Sequence, residues 1–210
     1  MTRVEALREP PVRGGRFTVV LEDGRRLRLE RSVVEEFGLF PGREVDGETL
    51  LRVREANAHA SAKARAVRIV SASNVSRREL RRRLLEKGED AEMADEAVAW
   101  LSELNLLDDA QTARQLVQSA VRKGYGPARI RQILYQKGID RSLWDEAMAD
   151  LPPMDGAIDR FLAARFGGGT PDEREIKRAA DALLRRGHSW SDIRPALRRY
   201  TDRLEDGMEE

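Results

Sequence analysis

Apolar residues recur at four-residue intervals in residues 76–88, and the same pattern returns about fifty residues later and then once more. When Ser76, Gly126 and Glu175 are aligned, three sets of residues coincide: Leu80 with Ile130 and Ala179, Leu84 with Leu134 and Leu183, and Gly88 with Gly138 and Gly187. Four-residue spacing is typical of one helix face, and a closing glycine favours a helix C-terminus because glycine readily adopts the left-handed conformation. The pattern predicts three copies of one helix, in which Gly126-Pro127 only starts the helix and Lys137-Gly138 only stops it.

Further helices are predicted on both sides of each copy. After the glycine, Asp95-Glu96-Ala97 aligns with Asp145-Glu146-Ala147, which indicates a following helix. Before the copies, helices are predicted over residues 48–72, from Asp108 in a capping-box pattern, and over residues 154–166. The chain is thus predicted to be mostly α-helical, with three tandem three-helix units of about fifty residues that stack into an elongated curved array.

The first part of the chain follows a different pattern. Residues 16–30, RFTVVLEDGRRLRLE, alternate apolar and polar positions around Asp23-Gly24, a dipeptide that favours a tight hairpin turn. Ser32 is predicted to cap a short helix through Phe37, and Asp46-Gly47 is predicted to form another turn. We expect four regions: an N-terminal extension with a β-hairpin at 1–48, and helical repeats at 49–107, 108–152 and 153–210.

Composition narrows the class of protein. The 38 basic and 37 acidic residues almost cancel, so net charge does not by itself indicate a nucleic-acid-binding protein. The absence of cysteine excludes disulfides and thiolate metal ligands and favours a cytoplasmic protein. Because the chain has neither a long apolar run nor a signal-peptide pattern, we expect no association with membranes. We also expect a monomer.

Each residue that could take part in catalysis or metal binding is better explained by a structural role. His59 and His188 lie in unrelated contexts and are expected to be structural or exposed. Asp108-Asp109 is suited to capping a helix start rather than to binding a metal. The three glycines at 167–169 lack the flanking residues of a phosphate-binding loop and are interpreted as a flexible connection. No enzyme activity, metal or cofactor is therefore predicted.

Charge is unevenly distributed along the chain. Residues 76–87 contain six basic side chains and two acidic ones, whereas residues 88–110 contain eight acidic side chains and no basic one. The second unit repeats this order, with a basic stretch before Asp145 and Glu146. Basic and acidic surfaces on a helical array suit a composite partner that presents both phosphates and protein side chains, such as a nucleoprotein filament.

Helical geometry sorts the arginines of the first copy. If Leu80 and Leu84 define the buried side, Arg78 and Arg82 point away from it and are the best candidates to bind phosphate. The competing interpretation is that Arg82 pairs with Glu86, and Glu79 with Arg83, as ordinary surface ion pairs that are worth only a few tenths of a kcal/mol each.

Three segments carry a family resemblance. They are SRRELRRRLLEKG at 76–88, LNLLDDAQTARQLVQSAVRKGYGPARIRQILYQKGID at 104–140 and LLRRGHSWSDIRPAL at 183–197. They resemble the RecX family of bacterial regulators of the RecA recombinase, over about residues 50–202. The resemblance implies a non-enzymatic protein that binds in the groove of the RecA–DNA filament. It also implies inhibition of RecA ATP hydrolysis, strand exchange and coprotease activity, and hence modulation of recombinational DNA repair and the SOS response.

Under this resemblance, the basic second helices would contact single- or double-stranded DNA and the acidic third helices would contact RecA. The predicted contacts come from seven residues: Arg78, Arg82, Arg122, Lys123, Arg129, Arg131 and Lys137. Two alternatives stay open. One is a free-standing DNA-binding protein, because three-helix units with a basic second helix resemble helix-turn-helix modules. The other is a scaffold that binds only protein, with its arginines on a solvated surface.

Overall fold

The N-terminal element is a four-stranded antiparallel sheet. The computed structural model describes residues 1–12, 14–167 and 169–206, and their side chains as far as residue 201. The strands are β1 (Thr2–Arg8), β2 (Phe17–Leu21), β3 (Arg26–Leu29) and β4 (Glu44–Val45), in the order β3-β2-β1-β4. The predicted hairpin joins β2 to β3, and Gly24 has a φ of 84° in its turn. Strands β1 and β4 were not predicted.

Two helices follow the hairpin, α1 (Arg31–Glu36) and α2 (Gly47–Ala72). The prediction of a long helix over 48–72 is confirmed, but two details of the prediction were wrong. Ser32 lies inside α1, and the N-cap is Glu30. Asp46 does not belong to an isolated turn; its side chain accepts a hydrogen bond of 2.7 Å from the Thr49 amide and caps α2.

The rest of the chain is helical. The helices are α3 (Arg77–Glu86), α4 (Ala91–Glu103), α5 (Asp109–Arg122), α6 (Pro127–Gln136), α7 (Trp144–Met148), α8 (Asp155–Phe166), α9 (Glu173–Arg185) and α10 (Trp190–Asp206), with a 3-10 turn at Arg141–Leu143. Ser76 and Asp108 cap α3 and α5 as predicted. Helix α9 begins three residues earlier than the repeat alignment indicated, because Asp172 forms a capping box with Glu175. The predicted connection at 167–169 includes Gly168, which lies outside the described residues.

The chain divides into two compact units, Met1–Leu107 and Asp108–Glu210. In the first unit, α2 takes part in two separate apolar clusters. Its N-terminal half contributes Leu50 and Val53 to the cluster of the sheet and α1, and its C-terminal half contributes Ala62 and Ala66 to the cluster of α3 and α4. Helix α2 therefore belongs both to the N-terminal element and to the first three-helix domain.

The second unit contains two further three-helix bundles. Helices α5, α6 and α7 pack around Ile130 and Leu134, and helices α8, α9 and α10 pack around Leu162, Leu183 and Ile193. Each bundle thus has a small core of its own.

A close backbone contact joins these two bundles. The Gly126 amide donates a hydrogen bond of 2.9 Å to the Arg186 carbonyl, and the Ala128 amide donates one of 3.2 Å to the Gly187 carbonyl. A Cβ added at Gly187 would lie 2.2 Å from the Arg129 nitrogen. The interpretation of Gly126 as a helix start and nothing more was therefore incomplete, since only glycines allow this approach between the second and third repeats.

Candidate nucleic-acid interface

The predicted DNA-contacting residues of the first repeat, Arg78 and Arg82, lie on the exposed side of α3, opposite the fully buried Leu80 and Leu84. Arg82 forms an ion pair with Glu86 on the next turn of the helix. Arg78 has no ion pair among the described residues. Of the two, Arg78 therefore has the more available charge.

The second predicted surface pair, Glu79 with Arg83, also forms, but it is not a surface pair. The Glu79 side chain is only 5% exposed and accepts a hydrogen bond from Arg83. Arg83 also donates a hydrogen bond of 3.1 Å to the Ser73 hydroxyl. Arg83 is thereby held in place by a buried carboxylate rather than projecting freely into solvent.

Acidic and basic stretches that are separate in the sequence meet within each bundle. Arg81 on α3 donates hydrogen bonds to Asp95 on α4, one of them from Nη2 at 3.1 Å, and these bonds lower the pKa of Asp95 below its ordinary value. Comparable ion pairs join Arg65 to Glu89 at 2.7 Å and Arg114 to Glu146 at 3.1 Å. Part of the charge segregation seen along the sequence is therefore neutralised inside the domains.

In the second repeat, the two arginines of α6 lie on opposite sides of the helix, since two residues correspond to about 200° of rotation. Arg129 donates a hydrogen bond of 2.6 Å to Gln132 and lies over the Tyr125 ring, 5.9 Å from its centroid. Its backbone faces Gly187 of the third repeat. Arg131 is exposed and has no ion pair in the described part of the chain. Arg131 is thus the more available cation of α6.

The remaining predicted residues lie at helix ends. Arg122 and Lys123 are exposed at the end of α5, and Lys137 is half-buried after α6. Arg122 also lines a cavity of about 390 Å³ together with Glu146 and Asp150, so acidic groups lie near it. The five predicted residues of the second unit therefore do not share one surface.

Each second helix also exposes one large apolar residue, and it is the residue at the same position of the repeat. These residues are Leu85 on α3, Tyr135 on α6 and Leu184 on α9, with exposed fractions of 36%, 64% and 45%. A single exposed apolar side chain needs no explanation, but the same position exposed in three copies indicates a surface suited to protein contact.

Neither histidine belongs to a catalytic constellation. His188 is buried, and its Nε2 donates a hydrogen bond of 3.0 Å to the Gly124 carbonyl. His59 Nδ1 lies 2.7 Å from Glu96. In the part of the chain that the structure describes, no cluster of three or more His, Asp or Glu side chains could hold a metal ion. Over the same residues, no helix has the length and apolar character needed to cross a membrane.

One basic surface was missed by the sequence reasoning. In the first unit, a cleft of about 590 Å³ is lined by Arg28 of β3, Arg68 of α2 and Lys87 after α3, among other residues. These residues are far apart in the sequence, so no local run identifies them as a group. The only available signal was the basic composition of residues 25–28 and 63–68.

Comparison with known protein families and relatives identifies the chain. Residues 62–101 match the first three-helix domain of RecX, and residues 108–148 match the second. These matches define a regulatory protein built from tandem three-helix domains. Regulatory protein RecX of Escherichia coli (strain K12 / DH10B) is 37% identical over an alignment of 153 residues, and the match covers 66% of this chain and 90% of the relative. Regulatory protein RecX of Cronobacter sakazakii is 35% identical over an alignment of 151 residues, and the match covers 65% of this chain and 90% of the relative. The chain belongs to the RecX family, and it is a regulator rather than an enzyme.

Solved structures show the same fold. A crystal structure of regulatory protein RecX superposes with a TM-score of 0.64 and 23% identity, covering 92% of this chain and 98% of that one. The crystal structure of RecX from Lactobacillus salivarius superposes with a TM-score of 0.58 and 20% identity, covering 69% of this chain and 97% of that one. The prediction of a mostly helical protein with three-helix repeats after a β-containing element is therefore confirmed.

Proposed function

We propose that this protein binds the RecA filament on DNA as a monomer in the cytoplasm and inhibits RecA ATP hydrolysis, strand exchange and coprotease activity. In this way it modulates recombinational DNA repair and the SOS response. The observation that carries the proposal is the 37% identity to regulatory protein RecX of Escherichia coli over 90% of that relative. Membership of the RecX family implies interaction with RecA.

The surfaces of the second helices support this proposal. Arg78 on α3 and Arg131 on α6 are exposed cations with no ion pair among the described residues, so either can bind a phosphate without first breaking an ion pair. Leu85, Tyr135 and Leu184 add exposed apolar area on the same helices. A partner made of both nucleic acid and protein uses both kinds of contact.

The direct test is the rate of single-stranded-DNA-dependent ATP hydrolysis by RecA, with this protein titrated from far below to equal molarity. We expect inhibition at substoichiometric amounts. If ATP hydrolysis is unchanged while the protein binds bare duplex DNA tightly, the alternative of a free-standing DNA-binding protein is correct.

The role of the exposed cations among the predicted contacts is tested by the triple charge reversal R78E/R122E/R131E, which changes one residue on each of α3, α5 and α6. Because losing even one charge-assisted hydrogen bond costs about 1.5 kcal/mol, we expect the half-inhibitory concentration to rise by at least about tenfold. The matched control R43E/R54E/R160E changes three other exposed arginines and should inhibit like the wild type. If both variants inhibit equally, these cations do not contact the filament.

A protein-only scaffold makes a different prediction. In that case the triple charge reversal would keep full inhibition, whereas Tyr135→Ala would lose it, because the exposed tyrosine would be the contact. Binding of RecA in the absence of DNA would support the same conclusion.

A further inference from the structure

The basic cleft of the first unit lies between the sheet, the C-terminal end of α2 and the end of α3. Its volume is about 590 Å³, and six of its lining residues are basic: Arg16, Arg28, Arg65, Arg68, Arg83 and Lys87. The described lining contains neither aspartate nor glutamate. The near-zero net charge of a chain with 38 basic and 37 acidic residues therefore conceals a second concentration of positive charge, beside the one in residues 76–87.

Three of the arginines are held in place by carboxylates behind them. Arg16 donates a hydrogen bond of 2.8 Å to Glu30 and another to Ser61, and Arg83 binds Glu79 and Ser73.

Arg65 is held by an ion pair with a carboxylate and by a hydrogen bond to the backbone. Its Nε lies 2.7 Å from a Glu89 carboxylate oxygen, and its Nη1 donates a hydrogen bond of 2.8 Å to the Lys87 carbonyl. A guanidinium has five N–H donors, so these contacts leave each of the three arginines with donors for a ligand. The side chains of Glu30, Glu79 and Glu89 are at most 12% exposed, which keeps the supporting charges away from solvent.

The other three cations have no carboxylate partner among the described residues. Arg28, Arg68 and Lys87 are exposed, and the one side-chain hydrogen bond among them joins Arg68 Nε to the Ala64 carbonyl at 3.2 Å. Because the three supporting glutamates offset only the three held arginines, these exposed side chains give the cleft its excess positive charge. The C-terminal end of α2 adds a partial negative charge of about half an elementary charge, which three cations outweigh.

The chemistry of this lining matches a chain of phosphodiesters. Guanidinium groups fixed in position recognise phosphate oxygens by paired hydrogen bonds, and mobile cations attract the backbone from a distance. Ile69 and Ala72 provide an apolar wall between the charged groups, and Gly14-Gly15 provides backbone without side chains. A nucleic-acid strand alternates charged phosphates with less polar sugars in the same way.

We propose that this cleft, formed by the N-terminal sheet and the first three-helix domain, binds the phosphodiester backbone of a DNA strand. The inference goes beyond the proposed action on RecA, because it concerns bare DNA and a region of the chain outside the second helices of the later repeats. It gives the N-terminal element a function of its own.

The test is fluorescence anisotropy of a labelled single-stranded oligonucleotide over a range of salt concentrations, without RecA. The variant R28Q/R68Q/K87Q removes the three exposed cations and leaves every described ion pair of the cleft intact. Each phosphate contact to a single strand contributes about 0.7 to the slope of log K against log salt, so we expect the slope to fall by roughly 2. The variant R28K/R68K keeps the charge and should keep the slope.

A matched control removes the same charge from the same unit. Arg43, Arg52 and Arg54 are exposed and lie outside the lining of the cleft, and Arg52 stacks over Phe37. The variant R43Q/R52Q/R54Q should keep a slope close to that of the wild type.

Three outcomes would overturn the inference. The first is a wild-type protein that does not bind the oligonucleotide at all, and the second is an equal loss of slope in both triple variants. The third is unchanged DNA binding by R28Q/R68Q/K87Q with lost inhibition of RecA, which would assign the cleft to an acidic protein segment. Wild-type inhibition of RecA ATP hydrolysis tests the proposed function separately, so either proposal can fail without the other.

Discussion

Helices α3 and α6 occupy equivalent positions in successive repeats, but their arginine side chains bind different partners. In α3, each of Arg81, Arg82 and Arg83 binds a carboxylate. Helix α6 has the sequence PARIRQILYQ, which contains no acidic residue, so Arg129 donates to the amide of Gln132 instead. Helix α3 has more arginines than α6, but a smaller share of them is available to bind phosphate. The number of basic residues is therefore a poor measure of a phosphate-binding surface.

One position of the repeat explains much of this difference. Glu79 of α3 aligns with Arg129 of α6. Glu79 is buried and holds Arg83 within its own domain, whereas the backbone of Arg129 abuts Gly187 of the third repeat. The same position thus stabilises the interior of the first three-helix domain in one repeat, and in the other it contributes to the contact between the second and third repeats.

The largest effect is expected at the glycines that close the second helices. Gly88 and Gly187 have φ values of 84° and 86°, but a Cβ at Gly88 would meet nothing within 4 Å, whereas one at Gly187 would lie 2.2 Å from the Arg129 nitrogen. Gly88→Ala should lower the free energy of unfolding by about 1–2 kcal/mol, the cost of the left-handed conformation. Gly187→Ala adds an overpacking cost of about 1–3 kcal/mol to that loss.

Urea unfolding followed by far-ultraviolet circular dichroism measures both losses. Since the two variants share their backbone strain, the difference between them isolates the contact between the second and third repeats. If both variants lose the same free energy of unfolding, the two bundles move apart without loss of stability, and the assigned contact is wrong.

The sequence predicted those elements that depend on local signals. The three closing glycines, the caps at Ser76 and Asp108, and the Asp23-Gly24 hairpin all follow from nearest-neighbour chemistry. It did not predict β4, a two-residue strand that exists only because β1 is beside it. Local signals therefore determined where helices begin and end, and long-range pairing determined the sheet.

The candidate interface was less predictable, because ion pairs and clefts depend on distant residues. The exposure of Arg78 and Arg82 was predicted from helix geometry, but the burial of Glu79 was not, since its position on α3 lies between the apolar and polar sides. Arg28 and Lys87 line the same cleft, but one belongs to a strand and the other follows a helix, so no periodicity in the sequence relates them. Sequence reasoning therefore located the basic helices but not the basic cleft.

A smaller effect is expected when the buried carboxylate of α3 is neutralised. Glu79→Gln removes the charged partner of Arg83, and we expect the free energy of unfolding to fall by about 1–2 kcal/mol, because hydrogen bonds to charged groups contribute about 1.5–3 kcal/mol and Arg83 is partly exposed. The same change removes a negative charge from behind the basic cleft, which Arg83 lines, so electrostatic attraction and hence affinity for single-stranded DNA should rise.

Glu86→Gln is the matched control for this change. Glu86 pairs with Arg82 on the same helix, but its side chain is 57% exposed, and exposed pairs contribute less than about 1 kcal/mol. Urea unfolding and oligonucleotide binding should therefore be close to those of the wild type. If Glu86→Gln destabilises the protein as much as Glu79→Gln does, burial is not what makes Glu79 important.

The smallest effect concerns Asp90 and Asp140, which occupy equivalent positions of the repeat: Asp90 is the N-cap of α4, and Asp140 caps the 3-10 turn that precedes α7. Asp140 accepts hydrogen bonds of 2.9 Å from the Ser142 amide and 2.7 Å from the Ser142 hydroxyl, and these lower the pKa of Asp140 below its ordinary value. Asp90 is also an N-cap residue, but its side chain makes no capping hydrogen bond. Asp140→Ala should therefore destabilise the protein at neutral pH, and Asp90→Ala should destabilise it less.

The pH dependence of this difference has a definite sign. A carboxylate whose pKa is lower in the folded state stabilises the protein fully above its unfolded-state pKa, and that stabilisation is lost as the pH falls through the folded-state pKa. Urea midpoints of the wild type and of Asp140→Ala should therefore differ at pH 7 and converge as the pH falls below about 4, the ordinary pKa of an aspartate. A difference that persists unchanged at low pH would show that Asp140 acts through packing rather than through its charged cap.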